Sequence, residues 1–214
     1  MSIVISVSEY DPQWAAEFTL LRDQLASRVA DLALSIEHVG STAAPGCAAK
    51  PIIDLDIVVT EPSTMAVPVT RLAAAGYRHG DLGVAGREAF QAPLNARPHH
   101  LYAVVSESKP YLDHILLRDY LRHHPDQARR YSQFKKWVAL QSAADREGRT
   151  AYSEAKRMLV KELLSKALPT KAPGNVTQVA AEELRAHHEE ANGDTAYATT
   201  RSGPEPESLQ PKYG

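Results

Sequence analysis

Residues 36–59 read IEHVGSTAAPGCAAKPIIDLDIVV, and they contain the strongest structural signal of the chain. The second half of the stretch, residues 52–59, is apolar and largely β-branched, and only Asp54 and Asp56 interrupt it. A run of this length and composition predicts a buried strand. A shorter strand is predicted over residues 35–39, and the loop between the two strands begins at Gly40.

The two aspartates of the second strand predict a metal site. Residues two apart on a strand share one face and lie roughly 6–7 Å apart. Two carboxylates at that separation repel each other by about 3 kcal/mol at an effective dielectric of 20. A divalent cation removes this repulsion, and Mg²⁺ commonly bridges protein carboxylates to substrate phosphates. Asp54 and Asp56 are therefore the predicted ligands of Mg²⁺ or Mn²⁺.

The loop that precedes this strand is suited to phosphate binding. Gly40 permits backbone conformations closed to other residues, and Ser41 and Thr42 follow it with hydroxyl and backbone N–H donors. A single Gly-Ser pair or a single D-x-D pair is also typical of a solvated turn or strand edge. Their combination around one apolar strand favours a functional site.

The rest of the chain predicts an α/β (α+β) fold, in which helices flank a mixed sheet. A helix over residues 12–32 begins at Asp11 and Pro12, and a second helix covers residues 67–75. Further strands are predicted near Tyr77 and over residues 87–91 and 99–105. Three C-terminal helices are predicted to begin at Tyr111, Pro125 and Thr150, the last ending at residue 168, and Trp14 and Trp137 are assigned to the core.

Composition sets the class of protein. The net charge is -2, and hydrophobic residues make up 43% of the chain, which is typical of a globular domain. Residues 1–169 are predicted to form this domain. Residues 170–214 are predicted to be an acidic, largely disordered tail with a short helix over 176–190. With one cysteine, no signal peptide and no apolar span, the sequence predicts a cytoplasmic protein without a membrane segment.

Several residues allow two interpretations. Lys50 precedes the carboxylate strand and either meets a phosphate or neutralises Asp54, whereas Cys47 is interpreted as a packed residue and His38 as a structural histidine. His99 and His100 are neighbours on a strand, so at most one of them points to the site. The basic run over residues 118–136 indicates either a phosphate-binding face or a solvated helix surface with its aromatic residues turned inward.

Residues 36–59 resemble the signature of the GrpB family, and three later stretches resemble that family's other blocks. These are RPHHLYAVV at 97–105, LLRDYLRHHPDQARRY at 116–131 and AYSEAKRMLV at 151–160. The family is similar to the polymerase-beta-like nucleotidyltransferases, whose hallmark is a Gly-Ser turn followed by a D-x-D strand. This resemblance, over residues 7–168, implies that Gly40 and Ser41 hold phosphates, that Asp54 and Asp56 bind metal, and that Arg118 and Lys156 supply counter-charge.

The sequence departs from the superfamily at one position. Active members usually have a third carboxylate on a later strand, where this chain has His100 and Tyr102 on one face. His100 is therefore a candidate metal ligand or acid–base residue, and Glu88 and Glu107 are candidate substitutes for the missing carboxylate.

The predicted function is that of a metal-dependent nucleotidyltransferase. It binds a nucleoside triphosphate with Mg²⁺ or Mn²⁺ and transfers a nucleotidyl group to an unknown acceptor. The alternative is a degenerate nucleotide- or metabolite-binding module that keeps the fold without the chemistry. The near-neutral charge argues against a nucleic-acid-binding protein, and the oligomeric state is left open.

Overall fold

The computed structural model describes residues 5–80, 82–142 and 145–168, which all lie in the first of the two units of the chain, residues 1–172. The predicted tail, residues 170–214 with a helix over 176–190, lies outside the described residues. Across the described residues, no helix is both long enough and apolar enough to cross a bilayer.

Five strands and five helices form the described part of the chain. The strands are β1 Ala33–Val39, β2 Ile53–Val59, β3 Arg78–Gly80, β4 Arg87–Gln91 and β5 His99–Val105. The helices are α1 Gln13–Val29, α2 Ala66–Ala74, α3 Lys109–His123, α4 Pro125–Gln141 and α5 Arg146–Ala167.

The strands form one mixed sheet in the order β1-β2-β5-β4-β3. The central pair, β2 and β5, is parallel, and the other neighbours are antiparallel. Parallel strands need a crossover connection, and α2 together with the β3–β4 hairpin lies between β2 and β5 in the chain. The predicted α+β fold with a mixed sheet is confirmed.

Strand β2 is enclosed on both of its faces, and the two faces differ in chemistry. Ile53, Leu55, Ile57 and Val59 are at most 1% exposed and belong to the main core, which contains the buried residues of α1 and Leu72 of α2. Asp54 and Asp56 point to the opposite face, toward α3. The alternation of a strand therefore separates the core from the polar face.

A second apolar cluster attaches the three C-terminal helices to the loop between β1 and β2. Ala44 and Cys47 of that loop are fully buried against side chains of these helices. The helix residues are Leu121 of α3, Ala128 and Tyr131 of α4, and Leu159 and Leu163 of α5. This packing holds α3–α5 against the polar face of the sheet.

The observed helix boundaries correct three predictions. Helix α1 ends at Val29 and not at residue 32, because residues 30–32 form the turn that leads into β1. Helix α5 begins at Arg146 and not at Thr150, because the carboxylate of Asp145 accepts a hydrogen bond of 2.7 Å from the backbone N–H of Gly148 and caps the earlier turn. Helix α3 begins at Lys109 and not at Tyr111, since Pro110 fits the first turn of a helix. Strands β4 and β5 have the predicted bounds.

The two tryptophans differ. Trp14 is 3% exposed in the main core, as predicted, but Trp137 is 60% exposed, so its assignment to the core is wrong. Helix α4 buries a stripe through Ala128, Tyr131, Lys135 and Val138. At 100° per residue, Trp137 lies roughly 240° around the helix from Tyr131, on the opposite side.

Candidate functional site

The loop after β1 is pressed against the first aspartate of β2. Gly40 has φ 74° and ψ -167°, a conformation that favours glycine. A β-carbon at this position would overlap the Oδ2 atom of Asp54. Two independent requirements therefore select glycine here, and together they place the Asp54 carboxylate directly beside the loop backbone.

Asp54 is joined to the neighbouring strand through His100. Their Cα atoms are partners in the parallel pairing of β2 and β5, and His100 Nδ1 lies 2.7 Å from Asp54 Oδ1. The Asp54 side chain is 29% exposed and the His100 side chain 54%, so both can meet a ligand. His99 points to the other face, where it is buried and bonded to Tyr77. As predicted, only one of the two histidines reaches the site.

Asp56 lies on the same face as Asp54 but deeper. It is fully buried, and its Oδ2 accepts a hydrogen bond of 2.8 Å from Nδ1 of His114 on α3. Its Oδ1 has no hydrogen-bond partner among the described residues. The burial of such an oxygen without a partner is unfavourable, which makes this atom a candidate to bind a group from outside the chain.

The two members of this pair influence each other's protonation. Burial raises the pKa of Asp56, against the lowering effect of the His114 hydrogen bond. Burial alone would lower the pKa of His114, but the hydrogen bond and charge of Asp56 outweigh it, so the pKa of His114 is raised. The contact is thus a buried acid–base pair between β2 and α3.

A cavity of about 320 Å³ opens on this face between the sheet and the C-terminal helices. One wall consists of Gly40, Ser41, Asp54 and His100, with His114 and Tyr102 behind them, and α5 contributes Lys156 and Arg157 to the lining. This volume falls in the range of small-ligand sites. The cavity therefore has the Asp54 carboxylate and hydroxyl donors on its sheet side and two cations on its helix side.

The structure places five of the nine predicted site residues around the cavity, but four do not line it. One of the four is Asp56, which is fully buried. Arg118 is held by Glu37 at 2.8 Å and by Asp119 at 2.7 Å. The hydroxyl of Thr42 is buried and bonded to His38 at 3.0 Å, which also confirms His38 as a structural histidine.

Lys50 is the fourth predicted site residue that does not line the cavity. Its ammonium lies 4.4 Å from the ring centroid of Tyr152. Burial, followed by the nearby charges of Lys156 and Arg149, lowers its pKa. Among the described residues Lys50 forms no ion pair with Asp54, although the charge of Asp54 acts on it from farther away.

In the part of the chain that the structure describes, no third carboxylate joins the two aspartates. Glu88 lies on β4 and its Oε2 is 2.6 Å from Nε2 of His79. Glu107 follows the carboxyl end of β5, whereas Asp54 pairs with His100 near the amino end of that strand. Within residues 5–80, 82–142 and 145–168, no group of three or more His, Cys, Asp and Glu side chains is arranged to hold a metal ion.

Sequence reasoning missed Lys135 and His114. Lys135 is 2% exposed, and its Nζ lies 2.7 Å from Ser41 Oγ and 3.5 Å from Sγ of the buried Cys47. A signal was available, because Lys135 falls between Tyr131 and Val138 on the buried stripe of α4. For this residue, the interpretation of residues 118–136 as a solvated surface is wrong. His114 gave no such signal, since its role depends on how α3 packs against β2.

Comparison with known proteins gives consistent matches. The family model described as GrpB protein matches residues 4–166. The UPF0157 protein YqkA of Bacillus subtilis is 36% identical over 139 residues, which are 64% of this chain and 40% of that protein. A UPF0157 protein of Pseudomonas aeruginosa is 34% identical, over 77% of this chain and 68% of its own length. The crystal structure of conserved protein GrpB from Enterococcus faecalis matches with a TM-score of 0.63 and 30% identity, covering 75% of this chain and 98% of that one.

Proposed function

The chain belongs to the GrpB family, and on that premise we propose that its cavity binds a nucleoside triphosphate with a divalent metal ion and transfers a nucleotidyl group to an acceptor. The observation that carries the proposal is the close approach of Gly40 to Asp54, with the unpartnered Oδ1 of Asp56 behind them on the same strand face. This arrangement offers the Asp54 carboxylate and phosphate donors within one small cavity, with the buried Asp56 carboxylate two residues farther along the strand.

The residues fit a metal ion that arrives with the substrate better than one that is permanently bound. Mg²⁺ is commonly held by one or two protein carboxylates together with substrate phosphates and water. Asp54 Oδ2 beside the loop and the unpartnered Oδ1 of Asp56 are the oxygens that would hold it. Mg²⁺ or Mn²⁺ would supply neutralisation of the negative charge on the reacting phosphate. Two carboxylates without a third are consistent with weak binding of the metal alone.

The polar residues around the aspartates are suited to a polyphosphate. Ser41 offers a hydroxyl and a backbone N–H at the cavity, and Lys156 and Arg157 line it from α5. Cationic side chains form strong, charge-assisted hydrogen bonds with phosphate oxygens. In this scheme the triphosphate lies between the Gly40 loop and α5, with its α-phosphate near Asp54.

His100 is placed to act as the general base. Its Nδ1–H donates to Asp54, which leaves Nε2 to accept a proton. The acceptor hydroxyl would lose its proton to this nitrogen while its oxygen forms a bond to the α-phosphorus. The bond from that phosphorus to the bridging oxygen of the β-phosphate breaks, and pyrophosphate leaves. The carboxylate of Asp54 stabilises the positive imidazolium that results.

A second function is favoured by one specific observation. The position expected for a third carboxylate holds His100, so the same cavity can serve a regulatory module that binds a nucleotide or metabolite without turnover. The two functions differ in product. Metal-dependent release of pyrophosphate supports the transferase, whereas ligand-induced thermal stabilisation without release supports the module.

Isothermal titration calorimetry with ATP, GTP, CTP and UTP in the presence of MgCl₂ tests the binding step. The double variant Asp54→Asn with Asp56→Asn is expected to lose metal-dependent binding of the nucleotide that the parent binds. Asp23→Asn serves as the matched control, because Asp23 is an exposed acid of α1 that pairs with Arg22. Binding by the double variant equal to that of the parent would overturn the proposed site.

A further inference from the structure

Lys135 is a buried cation directly beneath the Gly40 loop. It is 2% exposed, and its ammonium donates to Ser41 Oγ at 2.7 Å and to the carbonyl oxygen of Ala48. The Sγ of Cys47 lies 3.5 Å away, and the ring centroid of Tyr131 lies 4.1 Å away. These contacts fix the ammonium against the back of the loop, while Ser41 itself lines the cavity.

The charge of Lys135 is not neutralised by a carboxylate of the described residues. Among them, no Asp or Glu oxygen lies within 4.0 Å of its Nζ, although Asp54 acts on it from farther away. A buried charge without a counter-ion is strongly unfavourable. The neighbouring Lys136, by contrast, is paired with Glu9 at the surface. An anion bound in the cavity would supply the missing partner for Lys135 across Ser41.

The direction of the Lys135–Ser41 hydrogen bond determines what Ser41 can do. An ammonium has donors only, so the Ser41 oxygen accepts from it. The single hydroxyl proton of Ser41 then points away from Lys135, where the hydroxyl of Tyr131, which shares a hydrogen bond with Ser41, and a ligand oxygen in the cavity compete for it. Lys135 therefore prepares Ser41 as a donor and places positive charge behind it.

We propose that Lys135 is a positioning residue for phosphate, which acts through Ser41 and supplies buried counter-charge to the triphosphate. This inference rests on the proposed function, because it takes the cavity ligand to be a polyphosphate. It adds a second layer to the phosphate site, beneath the loop and opposite Lys156 and Arg157.

This role of Lys135 makes the affinity for polyphosphate depend on pH. Burial lowers the pKa of Lys135 to about 8, and Cys47, Lys156 and Asp54 act on it by charge or hydrogen bonding, while the Tyr131 ring faces it from its own helix. A bound polyphosphate favours the protonated ammonium and raises this pKa. The affinity for polyphosphate is therefore highest well below pH 8. It decreases as the pH rises from the pKa of the free chain to the higher pKa of the complex. If binding raises the pKa by about one, the affinity changes by about tenfold across this range.

Calorimetric titration with inorganic triphosphate and 1 mM MgCl₂, at pH 7.5 and pH 9.5, measures this effect without a nucleoside. The parent is expected to lose about sixfold in affinity between the two pH values, out of the tenfold of the complete titration. Lys135→Met should bind about tenfold more weakly at pH 7.5 and change little with pH, because it has no ammonium to titrate. Lys135→Arg should keep its affinity at pH 9.5, since arginine stays charged. Lys136→Met is the control and should follow the parent.

The outcomes separate this inference from the proposed function. If the parent and Lys136→Met bind no triphosphate at either pH, both proposals fail. If they bind it and Lys135→Met matches the parent in affinity and pH profile, only the role of Lys135 fails. Non-additive losses in Lys135→Met, Ser41→Ala and their double variant would support action through Ser41.

A direct measurement covers the case in which Lys135→Met does not fold. The pKa of the Lys135 ammonium can be followed by NMR in the unmodified chain, with and without magnesium triphosphate. The inference requires this pKa to rise when triphosphate is added. An unchanged pKa in a chain that binds triphosphate would overturn it.

Discussion

The Nδ1 atom of His114 lies 2.8 Å from the Oδ2 atom of Asp56, so the first C-terminal helix is joined to β2 through a carboxylate that has no contact with solvent. His114→Ala would leave Asp56 buried without its hydrogen-bond donor. We expect a decrease of about 3 kcal/mol in the free energy of unfolding, measured by urea denaturation. His123→Ala, an exposed histidine of the same helix, should change this value by less than about 0.5 kcal/mol. Equal effects of the two variants would show that the buried pair is not stabilising.

Two glycines of the same loop provide a matched test of the approach to Asp54. Gly40 and Gly46 both have positive φ, at 74° and 77°, but a β-carbon at Gly46 meets no heavy atom within 4 Å. Gly46→Ala should therefore lose only about 1–2 kcal/mol of stability from backbone strain. Gly40→Ala adds the overlap with Asp54, and we expect a larger loss together with weaker nucleotide binding. Urea denaturation and calorimetry measure the two effects, and similar losses for both variants would contradict the close approach.

Protonation of His38 should limit stability in acid. Burial, followed by the charge of Arg122, lowers the pKa of His38 to about 4 from an ordinary value of 6.5. Between pH 6.5 and pH 4, His38 is therefore protonated in the unfolded chain but not in the folded chain. The free energy of unfolding consequently decreases as the pH falls through this range. The loss amounts to roughly 3 kcal/mol at most. Urea denaturation at pH 7, 5.5 and 4.5 should give a shallower pH dependence for His38→Gln than for the parent, whereas the exposed-site variant His123→Gln should retain the slope of the parent.

Substitution of Lys156 is expected to weaken nucleotide binding, and substitution of Arg118 is expected to lower the free energy of unfolding. Lys156 lines the cavity, so Lys156→Met is expected to weaken magnesium-nucleotide binding by about tenfold with little change in Tm. Arg118 is 13% exposed and bonded to Glu37 and Asp119, so Arg118→Met should lower the free energy of unfolding by about 2–3 kcal/mol. Calorimetry and thermal unfolding of both variants test the distinction. The reverse pattern would mean that the phosphate contacts lie on α3 and not on α5.

The local parts of the site could be predicted from the sequence because they depend on short-range rules. The alternation of β2 places Asp54 and Asp56 on one face, and the bounds of β5 follow from its own composition. The interactions of α3 and α4 could not be predicted in the same way. Whether Lys135 or Trp137 faces inward depends on the rotation of α4 against the loop, and the contact between His114 and Asp56 depends on a packing partner 58 residues away.

The burial of β2 on both faces limits which substitutions this strand can accept. A single strand stabilises the fold through Leu55 and Ile57 on one face and carries Asp54 of the cavity and the buried Asp56 on the other. Replacement of both Asp56 and His114 by apolar residues of similar volume would remove a desolvated pair and is expected to give a more stable chain. The polar pair is therefore less stabilising than an apolar pair would be, and we interpret its presence as selection for a task performed at this face of the sheet.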